Sequence, residues 1–240
     1  MSKEGSGGTT ARAILLVCLA GLLFVTMNSL VKALSTRFDP LMLIWARYFF
    51  HVVLIVVLYP RRFPQLLRTN QLGVQFGRSL LMLGATALNF LALYWLPLGE
   101  VAAITFTSPI IVAALAVPVL GERIGGARWL AILGGFAGAM LIIRPGAETM
   151  NTGAWLAAGC ALSYALYQIS TRIVRESEPM ASLLYGGLVG MVALSVLVPF
   201  GWSTPTAVEW LQLAAIGVLG ATGHLLLIHA LRSAEASRVS

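Results

Sequence analysis

Arg47, His51 and His224 are the residues best suited to chemistry, because each lies inside an otherwise apolar stretch of the chain. Arg47 and His51 are four residues apart, so on an α-helix they share one face. A permanent cation at membrane depth must find backbone carbonyls, water or an anionic ligand. No carboxylate is on hand. Glu4, Asp39, Glu100, Glu122, Glu148, Glu176, Glu178, Glu209 and Glu235 all fall in loops or at the ends of apolar stretches. The pattern therefore points to an anionic, zwitterionic or neutral-polar solute and away from a lipophilic cation. A carbonyl clamp for Arg47 and a packing role for His51 stay open as alternatives. His224 shares a face with Gly217 and Gly220 and is the best placed group to titrate near neutral pH. His229 is five residues on and points elsewhere, so the two histidines make no helical metal pair.

Three further stripes carry polar groups. Asn28 shares a face with Gly21, Phe24 and Lys32, and Asn89 with Arg78, Met82 and Ala85. Cys160, Tyr164, Tyr167, Gln168 and Thr171 gather on one broad face that can stack on, or hydrogen-bond, a planar or zwitterionic solute. Interhelical hydrogen bonds are the alternative for the asparagines. Lys32, Gln75 and Arg78 lie near enough to span ends to snorkel into water. The expected solute-binding set is Asn28, Arg47, His51, Asn89, Tyr164, Gln168 and His224. Thr105, Ser108 and Pro109 cluster in one span, where proline predicts a kink and makes Pro109 the gating candidate. Gly134-x-x-x-Gly138 and Gly186-x-x-x-Gly190 read as close-packing seams. Cys18 and Cys160 read as inert small hydrophobes. There is no H-E-x-x-H, no G-x-S-x-G, no Gly-rich phosphate loop and no pair of acids at depth. No catalytic residue, metal site or cofactor is expected, and an intramembrane enzyme is the weaker alternative.

The elements that position these residues are membrane helices. The chain is 58% hydrophobic and 10% charged, with mean hydropathy +0.87; a soluble domain is nearer ~25% charged. The net charge of +7 sits mostly in short loops, where topology explains it without nucleic acid. Apolar stretches near ~20 residues predict eight spans, at 13–34, 41–59, 72–96, 101–120, 128–143, 153–172, 180–199 and 209–231. Residues 1–12 read as a disordered cytoplasmic tail. The segment after Lys3 and Arg12 has a signal-peptide-like core but no A-x-A site, so it reads as a retained first span. With the N-terminus in the cytoplasm, the inner side carries Lys3, Arg12, Arg61, Arg62, Arg68, Arg123, Arg128, Arg172, Arg175, Arg232 and Arg238. The outer side carries only Lys32, Arg37 and Arg144.

The chain also repeats itself at an offset of about 139 residues. Asn28 and Lys32 recur as Gln168 and Arg172 after a one-residue slip, Asp39-Pro40 as Glu178-Pro179, and Pro60 as Pro199. The unit, 13–146, holds five spans, an odd number, so its copy, 147–240, must sit inverted. That copy shows three spans, and Glu100-Val101 aligns with Arg238-Val239, so two further helices are expected. The reading is all-α and polytopic: eight transmembrane helices of ten, in two inverted five-helix repeats.

These features resemble the drug/metabolite transporter superfamily, EamA type. They are the paired repeats, Asp39-Pro40 followed by Arg47, the Ala92-Leu93-Tyr94 run, Pro109, Gly121-Glu122-Arg123, and Gly134 with Gly138. The resemblance implies both termini in the cytoplasm, a central cavity between the repeats, and transport of a metabolite such as a vitamin or amino acid across the bacterial inner membrane without ATP. One departure is that Arg47 aligns with Gly186, breaking the symmetry at a charge. The expected partners are a small-molecule solute and the lipid bilayer, with a homodimer left open and no nucleic acid. A non-transporting scaffold or truncated pseudo-subunit is the other alternative.

Overall fold

In the computed structural model the described residues are 4–68, 71–122, 124–143, 151–173 and 178–233. They form helices and connecting turns, with no strand among them. The long helices are α1 (Glu4–Leu34), α2 (Pro40–Leu58), α4 (Leu72–Trp95), α7 (Gly126–Ile143), α8 (Thr152–Ile173), α9 (Pro179–Leu197) and α10 (Ala207–Ser233). The shorter α3 (Phe63–Leu66), α5 (Leu98–Thr105) and α6 (Ser108–Leu120) lie between them. Proline opens several of these helices, where its missing N–H costs nothing. At α2, Pro40 follows Asp39, whose Oδ1 accepts from the Leu41 N–H at 2.8 Å.

Six segments are long and apolar enough to cross a membrane: Ala11–Leu34, Pro40–Leu58, Leu72–Trp95, Leu98–Leu120, Pro179–Gly201 and Ala207–Arg232. The protein is thus a polytopic all-helical membrane protein. α8 falls outside this set because Ser163, Tyr164, Tyr167, Gln168, Ser170, Thr171 and Arg172 lower its hydropathy. α7 shows a shorter apolar core, Trp129–Gly138. Leu15, Leu22, Val57, Leu141, Val196 and Leu211 are exposed, while Arg47, His51, Gln75 and Arg78 are buried. Apolar outside with polar inside suits hydrocarbon as the solvent.

Several expectations are corrected. Helix α1 begins at Glu4, so residues 4–12 continue the first span as helix, since lengthening a formed helix is far easier than nucleating one. The span read as 101–120 is two helices broken at Phe106-Thr107, because Pro109 cannot donate to the preceding turn. Thr105 Oγ1 donates to the carbonyls of Val101 and Ala102, both at 2.9 Å. Thr107 Oγ1 donates to that of Ile104 at 2.7 Å. A Cβ on Gly134 or Gly138 would meet nothing within 4 Å, so that motif is no packing seam among the described residues. Lys32 does not snorkel. Its Nζ donates to the carbonyls of Leu93 (2.5 Å) and Leu96 (3.1 Å), orphan acceptors at the end of α4. The inner-side residues Lys3, Arg123, Arg175 and Arg238, and the outer-side Arg144, lie outside the described residues.

The packing follows the sequence offset. α1 packs along α10 as α4 packs along α8, and α2 meets α10 as α9 meets α4. Arg172, which aligns with Lys32, donates from Nη1 to the carbonyls of Leu231 (2.7 Å) and Arg232 (3.2 Å) at the end of α10. At the α2–α9 crossing, a Cβ on Gly190 would lie 2.6 Å from the Tyr48 ring, and one on Gly187 3.1 Å from the His51 ring. Tyr48 aligns with Gly187 and His51 with Gly190, so this crossing maps onto itself with the roles exchanged.

Candidate functional site

Glycines let α10 approach α2 until side chains of both helices interlock. A Cβ on Gly217 would lie 2.4 Å from Phe50 Cβ and 3.1 Å from the Arg47 carbonyl oxygen. One on Gly220 would lie 3.1 Å from Arg47 Nε. This approach delivers Arg47 to His224, with Nη2 at 2.7 Å from Nε2. A guanidinium has donors only, so Nε2 accepts and the neutral ring carries its proton on Nδ1. The guanidinium also lies over the Tyr48 ring, 4.9 Å from its centroid. Aromatic rings surround His224: Phe24 at 4.8 Å, Tyr167 at 5.4 Å and Tyr164 at 6.5 Å between centroids.

Tyr167 joins this group to a second buried arginine. Arg78 Nη1 donates to Tyr167 Oη (3.2 Å) and Thr171 Oγ1 (3.4 Å), and Nε donates to Gln75 Oε1 (3.3 Å). Its Nη2 donates to the Ser182 carbonyl. Gln75 Nε2 donates in turn to Ser182 Oγ at 3.1 Å. Arg78 and Gln75 are therefore locked in the core, not snorkelling, because polar partners from α8 and α9 satisfy them there. Tyr48 Oη donates to the Met82 carbonyl at 3.0 Å and is hydrogen-bonded to the Thr86 hydroxyl at 2.9 Å.

The arginines differ in one respect. Arg78 is engaged on every nitrogen, whereas Arg47 leaves Nε and Nη1 without hydrogen-bond partners. His51 Nδ1 and Nε2, His224 Nδ1 and Gln168 Oε1 are likewise buried without partners. No Asp or Glu is among the described buried side chains. The described ion pair, Arg37 Nε to Glu209 Oε1 at 3.4 Å, joins a largely exposed arginine to a span-end acid. Among the described residues the interior thus holds two fully buried guanidiniums and no carboxylate, with free donors concentrated at Arg47.

Of the expected set, Arg47, Tyr164 and His224 come together, and His51 and Gln168 are buried with free polar atoms. Asn28 and Asn89 pair with each other, Asn89 Nδ2 donating to Asn28 Oδ1 at 2.9 Å, the interhelical bond left open from sequence. Pro109 stands at the α5–α6 break beside Ser108, whose buried Oγ has no partner. Gln75 near a span end and Ser182 on α9 escaped notice as candidates. A signal for Arg78 was present in the repeat. Arg47 aligns with Gly186 and Arg78 with Gly217, and each arginine faces the glycine aligned with the other. Arg47 lies against Gly217, and Arg78 Nη2 lies 3.9 Å from a Cβ placed on Gly186. The charge that looked unbalanced in sequence is balanced in space.

The model of the EamA-like transporter family matches residues 11–144 and 151–240. The chain is 29% identical over 226 residues to a riboflavin transporter of Vibrio cholerae, covering 92% of this chain and 76% of that protein. It is 28% identical over 204 residues to an S-adenosylmethionine uptake transporter of Rickettsia bellii, covering 84% and 69%. It is 28% identical over 248 residues to the pseudopaline exporter CntI of Pseudomonas aeruginosa, covering 95% and 81%. A solved crystal structure superposes with a TM-score of 0.71 at 21% identity, over 92% of this chain and 80% of that one, which speaks for the fold alone.

Proposed function

This chain belongs to the EamA-like transporter family, and from that premise we propose that it is a secondary transporter of a small anionic, zwitterionic or neutral-polar metabolite. The carrying observation is Arg47, buried with two free nitrogens in a core whose described buried side chains include no acid. An anion or the negative end of a zwitterion is the ligand such a group binds best. The aromatic rings of Tyr164 and Tyr167 beside His224 suit a planar or partly apolar remainder. Asn28, His51, Asn89, Gln168 and His224 complete the proposed solute path, with the break at Pro109 as its gate. Related proteins are named for both uptake and export, so direction is left free.

Movement is by alternating access between two inverted repeats. Supporting this are the paired clamps of Lys32 and Arg172 and the self-exchanging α2–α9 crossing. α7 and α8 bring the spans to eight, with α8 turning its polar face inward. The setting is the bacterial inner membrane, with the N-terminus inside on the Lys/Arg asymmetry.

In liposomes carrying the full chain, carboxylated or zwitterionic metabolites and flavins should accumulate chemically unchanged, and tetraphenylphosphonium should not. Movement of the lipophilic cation alone would overturn the assignment, and chemical conversion of a solute would return the enzyme reading. Sidedness has its own test in a chain with Cys18→Ala and Cys160→Ala. Arg62→Cys should react with an impermeant maleimide only from the cytoplasmic side. Ala147→Cys, at a position outside the described residues, should react only from the other. Labelling of both from one side would remove the inverted arrangement.

A further inference from the structure

Arg47 does more than offer free donors: it occupies the one lone pair through which His224 could gain a proton. Nε2 of His224 accepts from Arg47 Nη2 at 2.7 Å, and while that bond stands Nε2 cannot be protonated, since a guanidinium only donates. Nδ1 already carries the proton of the neutral ring and has no partner. A carboxylate that draws Arg47 into a bidentate pair would use its nitrogens and release Nε2. We propose that His224 is a proton-binding site uncovered by the solute, so that an anionic solute and one proton bind together and cross together.

The step is a single protonation. A proton from water on the open side enters the Nε2 lone pair, the imidazolium stands beside the Arg47–carboxylate pair, and proton and anion leave on the opposite side. No other bond changes. Because binding free energies are reciprocal, the proton favours the anion as much as the anion favours the proton. Every element against α10 bears on this. α2 brings Arg47 and His51, α4 contributes the more distant Arg78, and α8 brings Tyr164, Tyr167 and, further off, Cys160. α1 contributes Phe24, and the buried face of α9 holds no titratable side chain. No described buried acid competes for the role, and although His51 is also buried, the described Arg47 bond covers a lone pair of His224 and not of His51, so His224 is the imidazole that an anion on Arg47 would uncover.

The inference rests on the reading of Arg47 as the solute contact, and the test separates the two. The full chain in liposomes, with 15N-labelled arginine and histidine, is titrated with acetate as the minimal carboxylate between pH 5.5 and 8. The Arg47 side-chain signals report the anion, and the His224 ring signals report protonation and tautomer. His51 and His229 are separated by single substitution. Both sets should respond together. Co-binding of one proton should weaken acetate about tenfold for each pH unit of increase, the change that one proton of linkage produces. His224→Gln keeps an acceptor for Arg47 and should remove that pH slope, and Arg47→Gln should remove the acetate response of His224. An Arg47 response with His224 neutral and no pH slope overturns the coupling and leaves the anion reading standing. A pH slope that survives His224→Gln assigns the proton elsewhere and also overturns it. Silence of Arg47 towards acetate fails the anion reading, and the coupling falls with it.

Discussion

Gly217→Leu should abolish folding, and Gly217→Ala should cost stability outright, whereas Gly134→Ala should be tolerated. At Gly217 the added Cβ alone would lie 2.4 Å from Phe50 Cβ and 3.1 Å from the Arg47 carbonyl oxygen. Neither atom is the free end of a flexible side chain, so α2 and α10 must separate. Overpacking of this kind costs about 1–3 kcal/mol for a single methyl and more for a larger side chain. At Gly134 a Cβ meets nothing within 4 Å, and alanine gains up to about 1 kcal/mol of helix propensity over glycine. The measurement is size-exclusion profile and melting temperature of each variant in detergent. A monodisperse Gly217→Leu protein melting with the parent would mean that α2 and α10 do not pack as described. The same experiment separates the two glycine motifs that look equivalent in sequence. Gly190→Ala should destabilise through the Tyr48 ring at 2.6 Å, and Gly138→Ala should not.

Arg47→Ala should reduce transport of an anionic solute by roughly 30-fold or more, the range expected for about 2 kcal/mol or more from truncating one partner of a buried charge pair. Arg47→Lys should recover part of this, because an ammonium restores the charge but not the planar fork. Asn89→Ala should have a smaller effect on transport than Arg47→Ala, because its described bond is to Asn28 and joins α4 to α1. The measurement is initial uptake rate into liposomes at matched reconstituted protein, with melting temperature as the folding control. Full transport of a carboxylated solute by well-folded Arg47→Ala would remove Arg47 from the binding site. Robust transport of a lipophilic cation by the same variant would reverse the charge argument altogether.

By itself the sequence determined that this protein is helical and lives in a bilayer, because twenty-residue apolar runs admit few other structures when no water can satisfy the backbone. It also determined which residues were costly at depth. Arg47, His51 and His224 stand out since each lies in an apolar stretch, and the described acids are absent from the buried set as expected. Family membership was legible from motif order and spacing. What spacing along one helix cannot contain is which stripe faces which. Arg78 reads as a snorkelling residue because its distance from the span end permits it, and only the Tyr167, Thr171 and Ser182 partners from α8 and α9 hold it inside. Asn28 and Asn89 read as members of two separate polar stripes, and only the fold joins them in one interhelical bond. The two glycine motifs read alike, and of their glycines only Gly186 and Gly190 lie, among the described residues, against atoms an added Cβ would strike. The Arg47–His224 contact joins residues 177 positions apart, a distance set by how closely Gly217 and Gly220 let two helices approach. Close approach is a property of facing surfaces, and so it was decided only when the chain folded.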